Sequence, residues 1–180
     1  LTHLGLPSEC LEARIWLGRL GAPNDVTVVP GNHEFDRRTP EALIRAIRQS
    51  EFQWLGGNLD LVTGDTSVDA ALQDEVVISI AGRRVGIFGL TLMPEDGGNR
   101  RDYIDYADSY EASARASLDR LTSAGADLII GLTHLHLEDD IAIARLKSAY
   151  PRFPFSVGGH EHEPEHEVAT PVSAEIMKGA

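Results

Sequence analysis

The stretch VTVVPGNHEFD, residues 26 to 36, carries the strongest structural signal in the sequence. Its first four residues are β-branched and predict a buried strand, which the following Pro-Gly pair would end. An amide, an imidazole and two carboxylates come directly afterwards, on Asn32, His33, Glu34 and Asp36. Functional side chains commonly occupy loops that a rigid strand holds in place. The stretch therefore predicts a strand with a functional site at its carboxyl end.

Outward from this stretch, apolar runs alternate with helical patterns, which is typical of an α/β fold with a parallel or mixed sheet. Two β-rich runs flank Gly82 and predict a β-hairpin over residues 76 to 90. Residues 94 to 107 lack either pattern and are expected to form a long loop. Helices are predicted over residues 8 to 20, 39 to 50, 108 to 124 and 138 to 149, and further strands over residues 52 to 55, 127 to 132 and 155 to 157.

Several polar residues receive a structural interpretation. Thr39 is expected to cap the second of these helices, and Asp108 with Glu111 to cap the third. Gly56-Gly57-Asn58 is interpreted as a turn, and Asp139 and Asp140 as acids at a helix N-terminus. Arg100 and Arg101 could bind an anion, although a solvated loop is the simpler interpretation.

Five of the seven histidines directly follow predicted strands. The carboxyl ends of parallel strands share one edge of a sheet, so the three loops are expected to meet if their strands are parallel neighbours. Imidazole nitrogen with amide and carboxylate oxygen suits Zn, Mn, Fe or Co. The sequence therefore predicts a metal site formed by the residues after the three strands, Asn32 and His33, His134 and His136, and His160 and His162.

Composition narrows the range of partners. The 180 residues suffice for one domain, and no apolar run is long enough to span a bilayer. A net charge of −12 argues against a nucleic-acid polymer or an anionic membrane as partner. The single cysteine, Cys10, excludes an internal disulfide and a cysteine-based zinc site. A phosphate-bearing substrate would need local positive charge, which bound metal ions can supply.

The motifs GNHE at residues 31 to 34, TH at 133 to 134 and GGHEH at 158 to 162 resemble those of the calcineurin-like metallophosphoesterases. The FD after GNHE and the EP after GGHEH make the chain most similar to the 5′-nucleotidase branch. The resemblance implies layered sheets flanked by helices, incomplete at both ends, in a single truncated catalytic domain over residues 1 to 180. It also implies hydrolysis of a small-molecule phosphate ester, in particular a nucleotide, and it favours an extracytoplasmic location.

The same resemblance implies a dinuclear centre of two divalent ions (Mn, Zn, Fe or Co) that share a bridging hydroxide. By motif position, one ion would be bound by Asn32, His134 and His160, and the other by His162. His136 could replace His134 as a ligand or lie just behind the ligands. His134 is preferred because it immediately follows the strand.

His33 would not bind metal. The resemblance places it near the phosphate, where it would stabilise the transition state or protonate the leaving oxygen. Asp36 would orient its imidazole, since a carboxylate behind a histidine fixes the tautomer and raises the basicity.

The chain departs from the family pattern upstream of GNHE. No Asp-x-His occurs in it, and Gly64-Asp65 follows GNHE instead of preceding it, so that match is treated as coincidence. We expect either a piece of a longer product or a relative that has lost one metal site. Three functions remain open: a phosphomonoesterase, a phosphodiesterase or pyrophosphatase on the same fold, and a non-catalytic metal-binding module.

Overall fold

A computed structural model describes residues 26–93, 101–160, 165–169 and 174–178 of the chain. The helix predicted over residues 8 to 20 and the proposed metal ligand His162 lie outside these residues. The strands, in chain order, are β1 (Thr27–Val28), β2 (Gln53–Leu55), β3 (Leu59–Leu61), β4 (Leu72–Gln73), β5 (Glu75–Ile80), β6 (Arg83–Thr91), β7 (Ile104–Tyr106), β8 (Leu128–His134), β9 (Phe155–Gly158), β10 (Glu165–Ala169) and β11 (Ala174–Lys178).

The helices match the predicted ones to within a few residues, apart from one short helix that the sequence did not predict. They are α1 (Glu41–Gln49), α2 (Thr66–Asp69), α3 (Tyr110–Ser123) and α4 (Leu137–Ala144), with 3-10 helices at Asn32–Phe35 and Arg145–Ser148. The unpredicted helix is α2. Asp65 immediately precedes it, which gives the Gly64-Asp65 pair a structural role. The Asp65 carboxylate accepts hydrogen bonds from the amides of Ser67 and Val68 and caps this helix.

Helix caps differ from two of the predictions. Pro40, and not Thr39, occupies the N-cap of α1. Ser109, and not Asp108, caps α3, because its hydroxyl accepts a hydrogen bond from the amide of Ala112 at 3.3 Å. The chain leaves α3 through Gly125, whose φ of +77° suits a residue without Cβ.

The largest sheet among the described residues has the order β5-β6-β8-β9. The β5–β6 pair is antiparallel and forms the predicted hairpin, with Ala81 and Gly82 both at positive φ in the turn. Strand β8 runs parallel to β6 on one side and to β9 on the other. The strands that lead to His134 and His160 are therefore parallel neighbours, which meets part of the condition stated from the sequence.

Strand β1 belongs to a different sheet, with the order β1-β2-β4 and parallel pairing throughout. The three strands that lead to the histidine motifs, β1, β8 and β9, are therefore not all neighbours in one sheet, and the condition stated from the sequence is not met. A short run such as residues 26 to 29 specifies a strand but not its partner, because pairing depends on distant residues.

The predicted loop over residues 94 to 107 contains a strand. In it, β7 pairs antiparallel with β3, and Leu61 is opposite Ile104. Both strands have three residues, which is too short for alternation to be recognised in a sequence. Residues 94–100 are not among those that the structure describes.

Two hydrophobic clusters form the core. One lies between the β5–β9 sheet and helices α3 and α4, and includes the fully buried Phe88, Leu118 and Phe153. The other lies around α1, β2 and β3, and includes Phe35 of the opening motif and Trp54. Burial on this scale is the main force that holds the elements together.

The two principal sheets meet where β2 ends beside β6. The amide of Gly57 donates to the carbonyl of Gly89 at 2.7 Å. A Cβ on Gly89 would lie only 2.6 Å from the Cβ of Leu55, so this approach requires glycine. The sheets are thus in backbone contact, and the loop after β1 can meet the loops after β8 and β9.

Candidate active site

A turn of 3-10 helix, Asn32–Phe35, carries the first group of predicted site residues. Glu34 closes this turn, because its Oε2 accepts a hydrogen bond of 2.7 Å from the amide of Gly31. Phe35 is buried in the second core cluster and anchors the turn to the core. Glu34 therefore has a structural role, and Asn32 and His33 are presented by a fixed piece of backbone.

His33 and Asp36 form a hydrogen-bonded pair, with Nδ1 of His33 lying 2.8 Å from Oδ2 of Asp36. The side chains are 80% and 62% exposed, so a substrate in solution can reach them. The hydrogen bond to Asp36 is the main cause that raises the pKa of His33, and the negative charges of Asp36 and Glu34 add to it against a small opposing effect of burial. The pair therefore has the arrangement that the resemblance implied for it.

Asn32 and His134 come together although their strands are in different sheets. Oδ1 of Asn32 lies 3.0 Å from Nε2 of His134. Gly31 makes this possible, since a Cβ there would lie 3.0 Å from both Cε1 and Nε2 of the same imidazole. Gly159 approaches Nδ1 of the same ring so closely that its own Cβ would be 3.3 Å away.

His160 lies beside both histidines that follow β8. Its ring centroid is 5.2 Å from that of His134 and 4.6 Å from that of His136, with the rings edge-on in both pairs. The amide of Gly159 donates to the carbonyl of Thr133 at 2.9 Å and holds this loop against β8. His160 has a φ of +83°, a conformation that non-glycine residues adopt mainly at functional sites and turns.

The loops after three strands thus bring Asn32, His134, His136 and His160 together, while His162 lies outside the described residues. His136 also occupies the N-cap position of α4. Asp140 of the same helix was interpreted only as an acid at the helix N-terminus. Its carboxylate also lies directly against the backbone of Gly158. No pattern in the sequence indicated that contact.

The donor types fit a divalent metal ion, since amide oxygen and imidazole nitrogen suit Zn, Mn, Fe and Co. A separation of 3.0 Å between Oδ1 of Asn32 and Nε2 of His134 also suits two ligands of one ion. Within the part of the chain that the structure describes, no three His, Cys, Asp or Glu side chains are grouped to hold an ion. The donors that the described residues bring together therefore do not make a complete set of ligands by themselves.

Two further contacts at the motif were missed by sequence reasoning. Thr91, at the end of β6, donates from Oγ1 to the carbonyl of Pro30 at 2.7 Å. The buried side chain of Asn58 pairs with the backbone of Thr91, accepting from its amide at 2.8 Å and donating to its carbonyl at 2.7 Å. Asn58 was interpreted as a turn residue. The structure confirms that Asn58 lies in a turn, and its amide group also fixes the strand end that supports the motif.

Comparison with known proteins gives matches only among structures. No protein-family model matches the chain, and no curated protein matches it significantly. The 5′-nucleotidase precursor from Thermus thermophilus superposes with a TM-score of 0.68 at 24% identity, over 92% of this chain and 34% of that one.

Two other solved structures are similar at lower identity. NAD nucleotidase from Haemophilus influenzae has a TM-score of 0.63 at 22% identity, over 76% of this chain and 24% of that one. The 5′-nucleotidase from Candida albicans has a TM-score of 0.52 at 17% identity, over 84% of this chain and 29% of that one. The chain therefore spans about a third or less of the length of these three proteins.

The chain shares the metallophosphoesterase-like fold of these nucleotidases, which is the fold that the histidine motifs predicted. The similarity to the two 5′-nucleotidases is a similarity of fold. The mixed α/β architecture, with several sheets flanked by helices, agrees with the sequence prediction. Identities below 25% relate the folds and leave activity to be argued from the site.

Proposed function

We propose that the chain forms part of the catalytic domain of a metal-dependent phosphoester hydrolase, a 5′-nucleotidase-like phosphomonoesterase. One observation carries the proposal: Asn32, His134 and His160 lie together at the carboxyl ends of three separate strands. The exposed His33–Asp36 pair begins one residue after Asn32. Metal-type donors next to an exposed acid–base pair are what phosphoester hydrolysis requires.

The residues divide by role. Asn32, His134 and His160 would hold one of two divalent ions (Mn, Zn, Fe or Co), and His162 would contribute to the other. Bound ions would neutralise phosphoryl charge and make water nucleophilic at neutral pH. His33 would donate from Nε2 to a phosphoryl oxygen or to the leaving oxygen.

Asp36 supports that role of His33 in two ways. Because the carboxylate of Asp36 pairs with Nδ1, Nε2 is the ring nitrogen that would be left to contact the substrate. The hydrogen bond and charge of Asp36 also raise the pKa of the imidazole, so the proton-bearing form is populated closer to neutral pH.

The proposed substrate is a small phosphate ester of the nucleotide class. In a protein whose chain carries a net charge of −12, the metal ions would supply the local attraction for it. We also propose an extracytoplasmic location, because the similar Thermus protein is described as a precursor. Among the residues that the structure describes, no helix is both long enough and apolar enough to cross a membrane.

Phosphate release from AMP and p-nitrophenyl phosphate by the intact protein, with and without Mn²⁺ or Zn²⁺, tests the proposal. We expect metal-dependent turnover, and a loss of about 100-fold or more in His33→Asn with unchanged metal content. Arg115→Gln, in an exposed ion pair on α3, is the control for a surface substitution. Wild-type protein without metal-dependent release would overturn the function, and a fully active His33→Asn would overturn the role of His33.

A substrate panel separates the alternatives. The panel includes a phosphodiester and NAD, since one similar structure is a NAD nucleotidase. Faster turnover of either than of AMP would favour the phosphodiesterase or pyrophosphatase. A single bound ion per chain without turnover of any substrate would indicate a non-catalytic metal-binding module.

A further inference from the structure

The backbone at the end of the 3-10 helix Asn32–Phe35 accepts hydrogen bonds from a segment that is distant in sequence and contains Arg101 and Tyr103. Nε of Arg101 donates to the carbonyl of Phe35 at 2.7 Å, and Nη2 donates to the carbonyl of Asp36 at 3.0 Å. The hydroxyl of Tyr103 donates to the carbonyl of Arg37 at 2.8 Å. Three consecutive carbonyls are therefore bound by two side chains.

These carbonyls are the ones that need partners. The end of a helix leaves its last carbonyls without donors inside the helix, and positive charge is favourable there. A guanidinium is a planar fork with donors at fixed angles, so it can bind two adjacent acceptors at once. An amide or ammonium group at the same place could not reproduce both bonds.

The two carbonyls that Arg101 binds lie on either side of the Asp36 Cα. One belongs to the peptide plane before Asp36 and the other to the plane after it, so fixing both restricts the backbone angles of Asp36. The direction of its Cβ, and hence of the carboxylate that meets His33, is set by those angles. In these hydrogen bonds, Arg101 contacts neither the His33 nor the Asp36 side chain. It acts on both through the backbone of Asp36.

The segment that carries Arg101 continues into a buried tyrosine and a paired strand. Tyr103 is buried, and burial raises the pKa of its hydroxyl, which keeps the group protonated as a donor. Directly after Tyr103, β7 pairs with β3. The contact with the motif is therefore made from a fixed element.

We propose that Arg101 is a positioning residue that orients Asp36, and through it His33, for the reaction of the candidate active site. The consequence for catalysis rests on the proposed function. The effect on the Asp36 backbone does not, so the two can be tested separately.

The first measurement concerns the backbone alone. In the intact protein loaded with diamagnetic Zn²⁺, we expect the amide order parameter of Asp36 to fall from about 0.85 toward 0.6 in Arg101→Gln. Arg115→Gln makes the same change of charge on α3 and should leave it unaltered. An unaltered order parameter in Arg101→Gln would overturn the proposal whether or not the protein is an enzyme.

The second measurement is a double-mutant cycle on AMP turnover. Arg101→Gln should lower kcat by about 10- to 100-fold with little change in KM, and should cause no further loss in an Asp36→Ala background. An equal loss in both backgrounds would mean general damage to the loop and would overturn the positioning role. Inactive wild-type protein would instead refute the proposed function and leave the backbone measurement decisive.

Arg101→Lys covers the case in which Arg101→Gln does not fold. A lysine retains the charge and can bind one of the two carbonyls, so kcat should lie between those of wild type and Asp36→Ala. Wild-type kcat in Arg101→Lys, with a wild-type order parameter at Asp36, would also contradict the proposal.

Discussion

His33 is held in place although it is almost fully exposed. Its partner Asp36 is three residues further along the same turn, so the hydrogen bond between them is local and costs little ordering of the chain. The resemblance of GNHEFD to the family motif implied a carboxylate behind the imidazole, and the structure has Oδ2 of Asp36 at Nδ1 of His33. The effect of this pair is best measured as a shift in the pKa of His33.

We predict that, in the metal-free protein, His33 titrates above its ordinary value of 6.5 and that Asp36→Asn lowers this pKa. Because the pKa is raised in the folded state, the pair stabilises the fold below about pH 6.5, and this contribution disappears as pH rises through the folded-state pKa. A histidine Cε1–H NMR titration measures the shift. Glu34→Gln should lower the pKa less than Asp36→Asn does, and a reversed order would contradict the assignment.

Other residues of the site could not be assigned in advance. Asn32 and His134 are 102 positions apart, and their meeting was expected from the rule that polar residues collect at strand ends and from the family resemblance. Arg101 was treated as a solvated loop residue, because its partners are backbone carbonyls that carry no sequence signal. His136 lies against His160, which leaves both of the roles considered for it open.

Elements with an apolar pattern or a turn signal of their own were predicted well, and several elements without one were not. The hairpin, α1, α3, β8 and β9 were confirmed, since each has a periodic pattern or a turn signal of its own. Strands β3 and β7 were missed because each has three residues and is defined by the other strand. The sheet to which β1 belongs could not be predicted for the same reason.

The cap of α3 provides a test at the level of one element. We predict that Ser109→Ala lowers the free energy of unfolding by about 1 kcal/mol, because the amide of Ala112 loses its acceptor. Asp108→Ala should cost less than about 0.5 kcal/mol. Urea denaturation of the two variants compares them directly. A larger loss in Asp108→Ala would show that the sequence-based choice of cap was correct.

At the level of the whole molecule, the contact between the two sheets depends on Gly89. We predict that Gly89→Ala destabilises the protein by about 3 kcal/mol or more, since the new methyl group would lie within 2.8 Å of three backbone or Cβ atoms of Leu55. Gly86→Ala, on the same strand, is the matched control. A Cβ there would meet the two terminal methyls of Leu121 at 2.8 and 3.1 Å and the Cβ of Ala126 at 3.3 Å, so it meets side chains and no backbone.

Thermal unfolding followed by circular dichroism distinguishes these two variants. Gly89→Ala should unfold at the lower temperature, and metal affinity should fall with it because Asn32 and His134 would be moved apart. Equal unfolding temperatures for the two variants would show that the sheets can separate locally without cost.

The pairing of Asn32 with His134 across two sheets has a consequence for how the site could vary during evolution. Strand geometry sets the spacing of two residues on one sheet. The spacing of Asn32 and His134 is set instead by the packing of two sheets against each other. Small changes of side-chain volume near Leu55 and Gly89 would thus alter the distance between the two donors before they unfold the protein. In the proposed metal site, residues far from the ligands would therefore offer a gradual means of tuning the choice of ion.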